Sequence, residues 1–252
     1  MTITVLPDFA AMFMLLFARV GTMVMLMPGL GERFVFNRAK LAVAVFIALL
    51  LMPVGRSLMQ VPSEPAALLT LLISEILIGA ILGLSARLIM TALQTAGVIM
   101  ANQIGLGFAT AVDPSMGQQN PTIGNFLTIL GITLVLVTDL HHLAIGAIHH
   151  SYTILPPGAY PSVGDASALG LQAISKSFAV AVQLSAPFIV FGLLFNLGLG
   201  ILARLMPQFQ VFFLGAPASI LIGMAILAAI LSVMMTVFLG ELGGFLNMLS
   251  GR

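Results

Sequence analysis

Charge is what this sequence has least of. Nine Lys or Arg and eight Asp or Glu make up 7% of 252 residues, against about 25% in an ordinary soluble domain. A soluble globule covers its surface with polar side chains, and this chain has too few to do so. The shortage excludes a disordered segment, a basic nucleic-acid binder and a cytosolic enzyme. A formal net charge of +1 offers no field for DNA or for an acidic substrate. Cysteine is absent, which removes disulfides, thiolate nucleophiles and Cys-based metal sites. Period-two alternation is also missing, so a transmembrane β-barrel is excluded. What remains is apolar: 60% hydrophobic residues and a mean hydropathy of +1.16. The composition reads as an integral membrane protein of the all-α class.

A helix needs about 20 apolar residues to cross the hydrocarbon core with its backbone satisfied. Apolar density and breakers place hydrophobic segments at 9–28, 41–59, 66–93, 124–148, 177–203 and 211–240, about six helices in one domain over 1–252. The second is the shortest, its core Leu41–Met52 ending at Pro53 and Arg56. Met1 to Phe9 carries Asp8, no basic residue and no small-x-small cleavage site after it, so the first segment is expected to be retained. Alternation puts Arg33, Arg38, Lys40, Arg87 and Arg204 on one side, and Arg56, Lys176 and Arg252 on the other. Positive charge favours the cytoplasm, which leaves both termini outside.

Two stretches interrupt this pattern. Residues 94–122 are rich in Gly, Ala, Gln and Asn and include Asp113-Pro114. Non-helical backbone at membrane depth is tolerated only against protein or beside a water-filled cavity. Residues 151–170, with Pro156, Pro157 and Pro161, read as a polar loop. Gly79, Gly83, Gly192, Gly198 and Gly200 read as close helix contacts. Met12, Met14, Met23, Met25 and Met27 crowd the first segment, where Met is taken as a filler of irregular gaps.

Ionisable residues inside a membrane are expensive and therefore functional suspects. Arg19, Glu75, Arg87 and Asp139 fall within or at the ends of apolar segments. Glu75 and Arg87 stand about 18 Å apart along a helix and cannot pair there. Arg87 is expected near a helix end, snorkelling to the interface. Arg19 and Glu75 lie deeper and are expected at a protein contact, a subunit or a neighbouring helix. Asp139, His142, His149 and His150 fall broadly on one helical face beside His141. Three such ligands suit zinc, yet no HExxH-type signature is present, so polar packing at a helix end is preferred and no metal or cofactor is assigned. The glycines around Gly105 precede no βαβ unit and make no nucleotide loop.

Gln103-Ile-Gly-Leu-Gly-Phe-Ala-Thr-Ala-Val-Asp113-Pro114, Asp139-Leu-His-His142, Leu155-Pro-Pro-Gly158, Ala186-Pro-Phe188, and Arg204-Leu-Met-Pro-Gln208 through Gly215-Ala-Pro217 together resemble the FliR family of flagellar type III export proteins. The resemblance implies a non-enzymatic subunit of an export gate in the bacterial inner membrane, at the flagellar basal body. The gate is assembled with FliP and FliQ, is regulated by FlhB, and carries unfolded export substrates. It also implies helical hairpins wound into a right-handed hetero-oligomeric stack, much of it lifted out of the bilayer plane. The segment at about 103–122 corresponds to the family's plug loop. A plug must be apolar, mobile and non-specific: Gly105 and Gly107 supply backbone freedom, Leu106 and Phe108 an apolar seal, and Asp113-Pro114 ends the loop. Competing readings are a small transporter or ion channel built around Arg19, Glu75 and the broken helix, a membrane enzyme using the His/Asp cluster, and the virulence-type secretion homologue.

Overall fold

The computed structural model describes residues 5–32, 34–53, 55, 62, 64–106, 122–157, 162–206, 208 and 211–251. Among them every regular element is a helix: α1 Val5–Leu26, α2 Asn37–Leu50, α3 Pro65–Gln103, α4 Thr122–Val137, α5 Leu140–Ile154, α6 Val163–Leu205 and α7 Val211–Ser250. Four of them, α1, α3, α6 and α7, are long and apolar enough to cross a membrane; a fifth span results if α4 and α5 count as one. The expectation of about six differs at the second segment. With 14 residues, α2 is about 21 Å long, short of the roughly 30 Å hydrocarbon core. The alternation that assigned loops to sides needed α2 to cross.

Several boundaries shift for physical reasons. α3 continues to Gln103, ten residues past the expected end at 93, because Ala, Gly and Gln are not helix breakers in a helix packed on its neighbours. Arg87 is consequently an interior, half-buried residue of α3 and not a helix-end one. The segment 124–148 breaks at Asp139 and bends by 75°. No proline causes this; Asp139 adopts the left-handed conformation, φ 60°, which Asp tolerates better than most residues. α6 starts at Val163, inside the stretch read as a polar loop. Its start is a capping box: Ser162 Oγ accepts from the Asp165 backbone N–H at 3.0 Å and donates to Asp165 Oδ2 at 2.6 Å. Pro187 and Pro217 lie inside α6 and α7. Near Pro187, the Ser185 hydroxyl donates to the carbonyls of Ala181 and Val182 at 2.8 and 3.2 Å, the kind of side-chain bond that accompanies proline in membrane helices.

The chain divides into two compact units, Met1–Ile89 with Thr133–Ser175 and Leu242–Arg252, and Met90–Ile132 with Lys176–Glu241. In the first, α1 buries Met12, Leu15, Leu16, Val20, Met23 and Val24, with Met27 buried just past its end, the three-and-four spacing of one helix face. Met14 and Met25 are exposed on the other side, so the methionine cluster splits between core and surface. From the first turn of α2, the Lys40 ammonium is buried and donates to the Gly31 carbonyl, in the loop after α1, at 3.0 Å. That charge closes the loop on itself and does not face water.

In the second unit, Leu93, Ala96 and Met100 of α3 pack in a core with Leu127 of α4, Leu184 and Phe188 of α6, and Phe238 of α7. The backbones of α3 and α4 meet at Gly97 and Gly124, where a Cβ on Gly97 would strike the backbone of Ile123 and Gly124. Thr91 and Ser177 hydroxyls share a hydrogen bond at 3.2 Å. Lys176 pairs with Glu241 at 3.0 Å near the surface, a half-exposed contact worth at most about 1 kcal/mol. For the capping box, Ser162→Ala is expected to cost about 1 kcal/mol locally, seen as about fivefold faster amide hydrogen exchange in the first turn of α6 and unchanged exchange elsewhere.

Candidate functional site: a buried ion pair and the base of the glycine-rich loop

Arg19 sits in the middle of the apolar face of α1, fully buried. A buried guanidinium is tolerable only if paired and hydrogen-bonded. Its partner is Glu75 of α3: Arg19 Nε donates to Oε2 at 2.5 Å and Nη2 donates to Oε1 at 3.1 Å, a bidentate fork. Nη1 donates to the carbonyl oxygens of Ser151 at 3.0 Å and Leu155 at 2.8 Å. Ser151 lies in the last turn of α5, where its carbonyl also accepts the Leu155 N–H at 3.0 Å, and Leu155 is the residue that caps the helix. The guanidinium also lies 4.2 Å from the centre of the Tyr152 ring, close enough for cation–π attraction. One side chain thus ties α1, α3 and α5 together and satisfies the end of α5.

Small residues bring the helices within reach. One turn after Glu75, Gly79 faces Thr22 and the Arg19 carbonyl, and a Cβ there would collide with both. Gly83, one turn further, faces Met23 and Leu26. The Thr22 hydroxyl donates back to the carbonyls of Ala18 and Arg19 at 2.6 and 2.9 Å, so it adds no unpaired group to the contact. This is small-xxx-small packing, in which close backbones replace a hydrophobic driving force that lipid does not provide. Of the other glycines expected at contacts, Gly192 of α6 packs under Gln103 of α3, while Gly198 and Gly200 meet nothing within 4 Å.

A separate candidate, within the other unit, is where α3 ends and the glycine-rich loop begins. Gln103 seats on Gly192 and Ile104 on Gly223 of α7, positions where a Cβ would displace them. The next residue, Gly105, has φ +86° and open space around it. Its N–H donates to the Asn102 carbonyl at 3.2 Å, so Gly105 is the left-handed stop that ends α3. Leu106 follows, half-buried. Gly107, Phe108, Asp113 and Pro114, the rest of the expected plug, lie outside the described residues.

Sequence reasoning singled out Arg19 and Glu75 but not their mutual pairing, since 56 positions separate them. It missed Tyr152 and the carbonyls of Ser151 and Leu155, for which no local signal exists. It also missed Gly97 and Gly124, although two glycines flanking a loop are a readable sign of a tight helix crossing.

Long apolar helices, with charge drawn into a buried clamp, define a polytopic all-α membrane protein. The profile of a family described as "Bacterial export proteins, family 1" matches residues 10–244. Flagellar biosynthetic protein FliR of Caulobacter vibrioides is 47% identical over 219 residues, which cover 86% of this chain and 87% of that protein. The Escherichia coli protein of the same name is 32% identical over 213 residues, covering 84% and 81%. Yop proteins translocation protein T of Yersinia pestis is 27% identical over 173 residues, covering 68% and 66%. The chain belongs to the FliR family and is a component of the flagellar export apparatus.

Two outcomes follow from the geometry. Glu75→Ala strands a buried guanidinium and should cost about 3–5 kcal/mol in denaturant unfolding of the detergent-solubilised protein, whereas replacing both Arg19 and Glu75 by Leu should recover much of that loss. Gly105→Ala meets no steric neighbour, so its cost is the left-handed backbone alone, about 1–2 kcal/mol by the same assay.

Proposed function

We propose that this chain is a structural subunit of the flagellar type III export gate in the bacterial inner membrane, at the base of the flagellum. It builds the protein-conducting pore with FliP and FliQ, works with FlhB on the cytoplasmic side, and passes unfolded flagellar proteins without acting on them chemically. The observation that carries this reading is helix length. α3, α6 and α7 contain 39, 43 and 40 residues, about 60 Å each, twice the hydrocarbon thickness. α6 exposes apolar side chains at Leu171, Phe178, Val190, Leu193, Leu197, Ile201 and Leu205, a stretch of about 51 Å. Lipid covers at most about 30 Å of it, and the remainder calls for protein, as in a hetero-oligomeric gate.

Residues 103–122 form the plug in this reading. Its proximal anchor is the pinned end of α3, where Gln103 and Ile104 are held and Gly105 turns the chain. An apolar loop excludes ions by dewetting and accepts any sequence when displaced, which a hydrogen-bonded seal would not. The transporter reading asks for charges available to a substrate, but Arg19 and Glu75 are bonded to each other and to the end of α5. Identity favours the flagellar over the virulence system, 47% against 27%.

Co-expression with FliP and FliQ followed by native mass spectrometry of the affinity-purified protein tests the assembly. A stable hetero-oligomer containing this chain is expected, and a partner-free monomer or homodimer in mild detergent would count against the gate. For the plug, Gly107→Ile is expected to reduce flagellin secretion severalfold at normal protein level, because a β-branched residue removes the backbone freedom of the loop. Normal secretion would refute the hinge role.

A further inference from the structure

At the bend between α4 and α5, Asp139, His141 and His142 each present one ligand atom, and the three atoms lie within 4.8 Å of one another. We propose that they form a site for a divalent transition-metal ion of the zinc type. Three features converge on it. First, Asp139 occupies the position before the first turn of α5, where an Asp side chain ordinarily accepts a backbone N–H. Here it makes no such bond; its left-handed backbone (φ 60°) turns Oδ1 to 3.7 Å from His142 Nδ1. Ligands held about 2.0–2.1 Å from a tetrahedral ion stand about 3–4 Å apart, so this pair already has the separation an ion requires.

Second, His141 Nδ1 is buried and is the one covered side-chain nitrogen or oxygen among the described residues with no hydrogen-bond partner. Buried polar atoms are almost always satisfied, and this ring nitrogen is left without a bond. Third, the two imidazoles lie with their centroids 4.2 Å apart, next to a carboxylate and without any Lys or Arg among the three. Two nitrogens and one oxygen suit zinc, cobalt, nickel or copper, and are poor ligands for magnesium or calcium. The sequence grouping of Asp139 with His149 and His150 is not the one the fold makes. His150 is bonded through Nδ1 to Thr153 Oγ1 at 2.9 Å, about two turns past His142 along α5.

Asp139 and His142 side chains are 72% and 68% exposed, so water completes the coordination and the ion exchanges with solvent. Bound there, it links the left-handed residue at the bend to the first turn of α5 and holds the 75° change of direction that no proline enforces.

The test is titration of the full chain, purified in detergent without a polyhistidine tag and stripped with chelator, against Zn²⁺ alone by isothermal calorimetry. One Zn²⁺ per chain is expected, undisturbed by excess Mg²⁺. Asp139→Asn and His142→Gln, both at exposed positions where folding is not at stake, should each weaken binding about tenfold or more. His149→Gln should leave it unchanged. No binding by the wild type, unchanged binding in the Asp139→Asn/His142→Gln double variant, or equal weakening by His149→Gln each overturns the site.

Discussion

A bilayer hides about 20 residues of helix, and three helices of this protein carry apolar side chains over about twice that length. Most other features answer to that mismatch. A helix that is too long can tilt or kink, but each remedy recovers only part of a 30 Å excess. Protein contact is the remaining way to cover the surface. Such contact cannot rely on the hydrophobic effect inside the membrane, where lipid is as apolar as a leucine. It relies on close backbones, and glycine supplies them: Gly79 and Gly83 against α1, Gly97 against Gly124, and Gly192 and Gly223 under Gln103 and Ile104.

Within the first unit, specificity comes from the few charges the chain retains. Burying Arg19 and Glu75 adds little net stability, because desolvation offsets most of the attraction. The pair matters as a registration device. Arg19 has a fork that fits only a carboxylate placed opposite it, and its remaining donors reach only the two carbonyls at the end of α5. A one-residue slip of α1 against α3 would leave a charge unpaired in an apolar interior. Sequence alone identified both residues as too costly to be idle. It could not pair them, since a contact across 56 positions leaves no periodic trace.

The all-α class and the apolar excess were legible because they rest on composition; Gly105 stood out for its backbone freedom, but the helix it ends was expected to stop at 93. Boundaries were less legible. The capping box Ser162-Val-Gly-Asp165 is written plainly in the chain, yet the nearby prolines at 156, 157 and 161 made the whole stretch look like loop. The bend at Asp139 left no breaker to read; an aspartate in the left-handed region looks like any other until its φ is known. Helix lengths were underestimated at α3, α6 and α7 because hydropathy windows are tuned to one membrane thickness. The excess beyond that thickness is the part that concerns assembly.

The proposed gate requires partner subunits, and not lipid, to cover much of α6. The chain has no cysteine, so single cysteines at Leu171, Val182, Leu193 and Leu205 can each carry a fluorophore in gates reconstituted with FliP and FliQ. Quenching by brominated lipids then reports lipid contact position by position. Quenching is expected only within a window of no more than about 20 residues of α6, with the remaining sites quenched only when the chain is reconstituted alone. Equal quenching at all four sites in the assembled gate would contradict it.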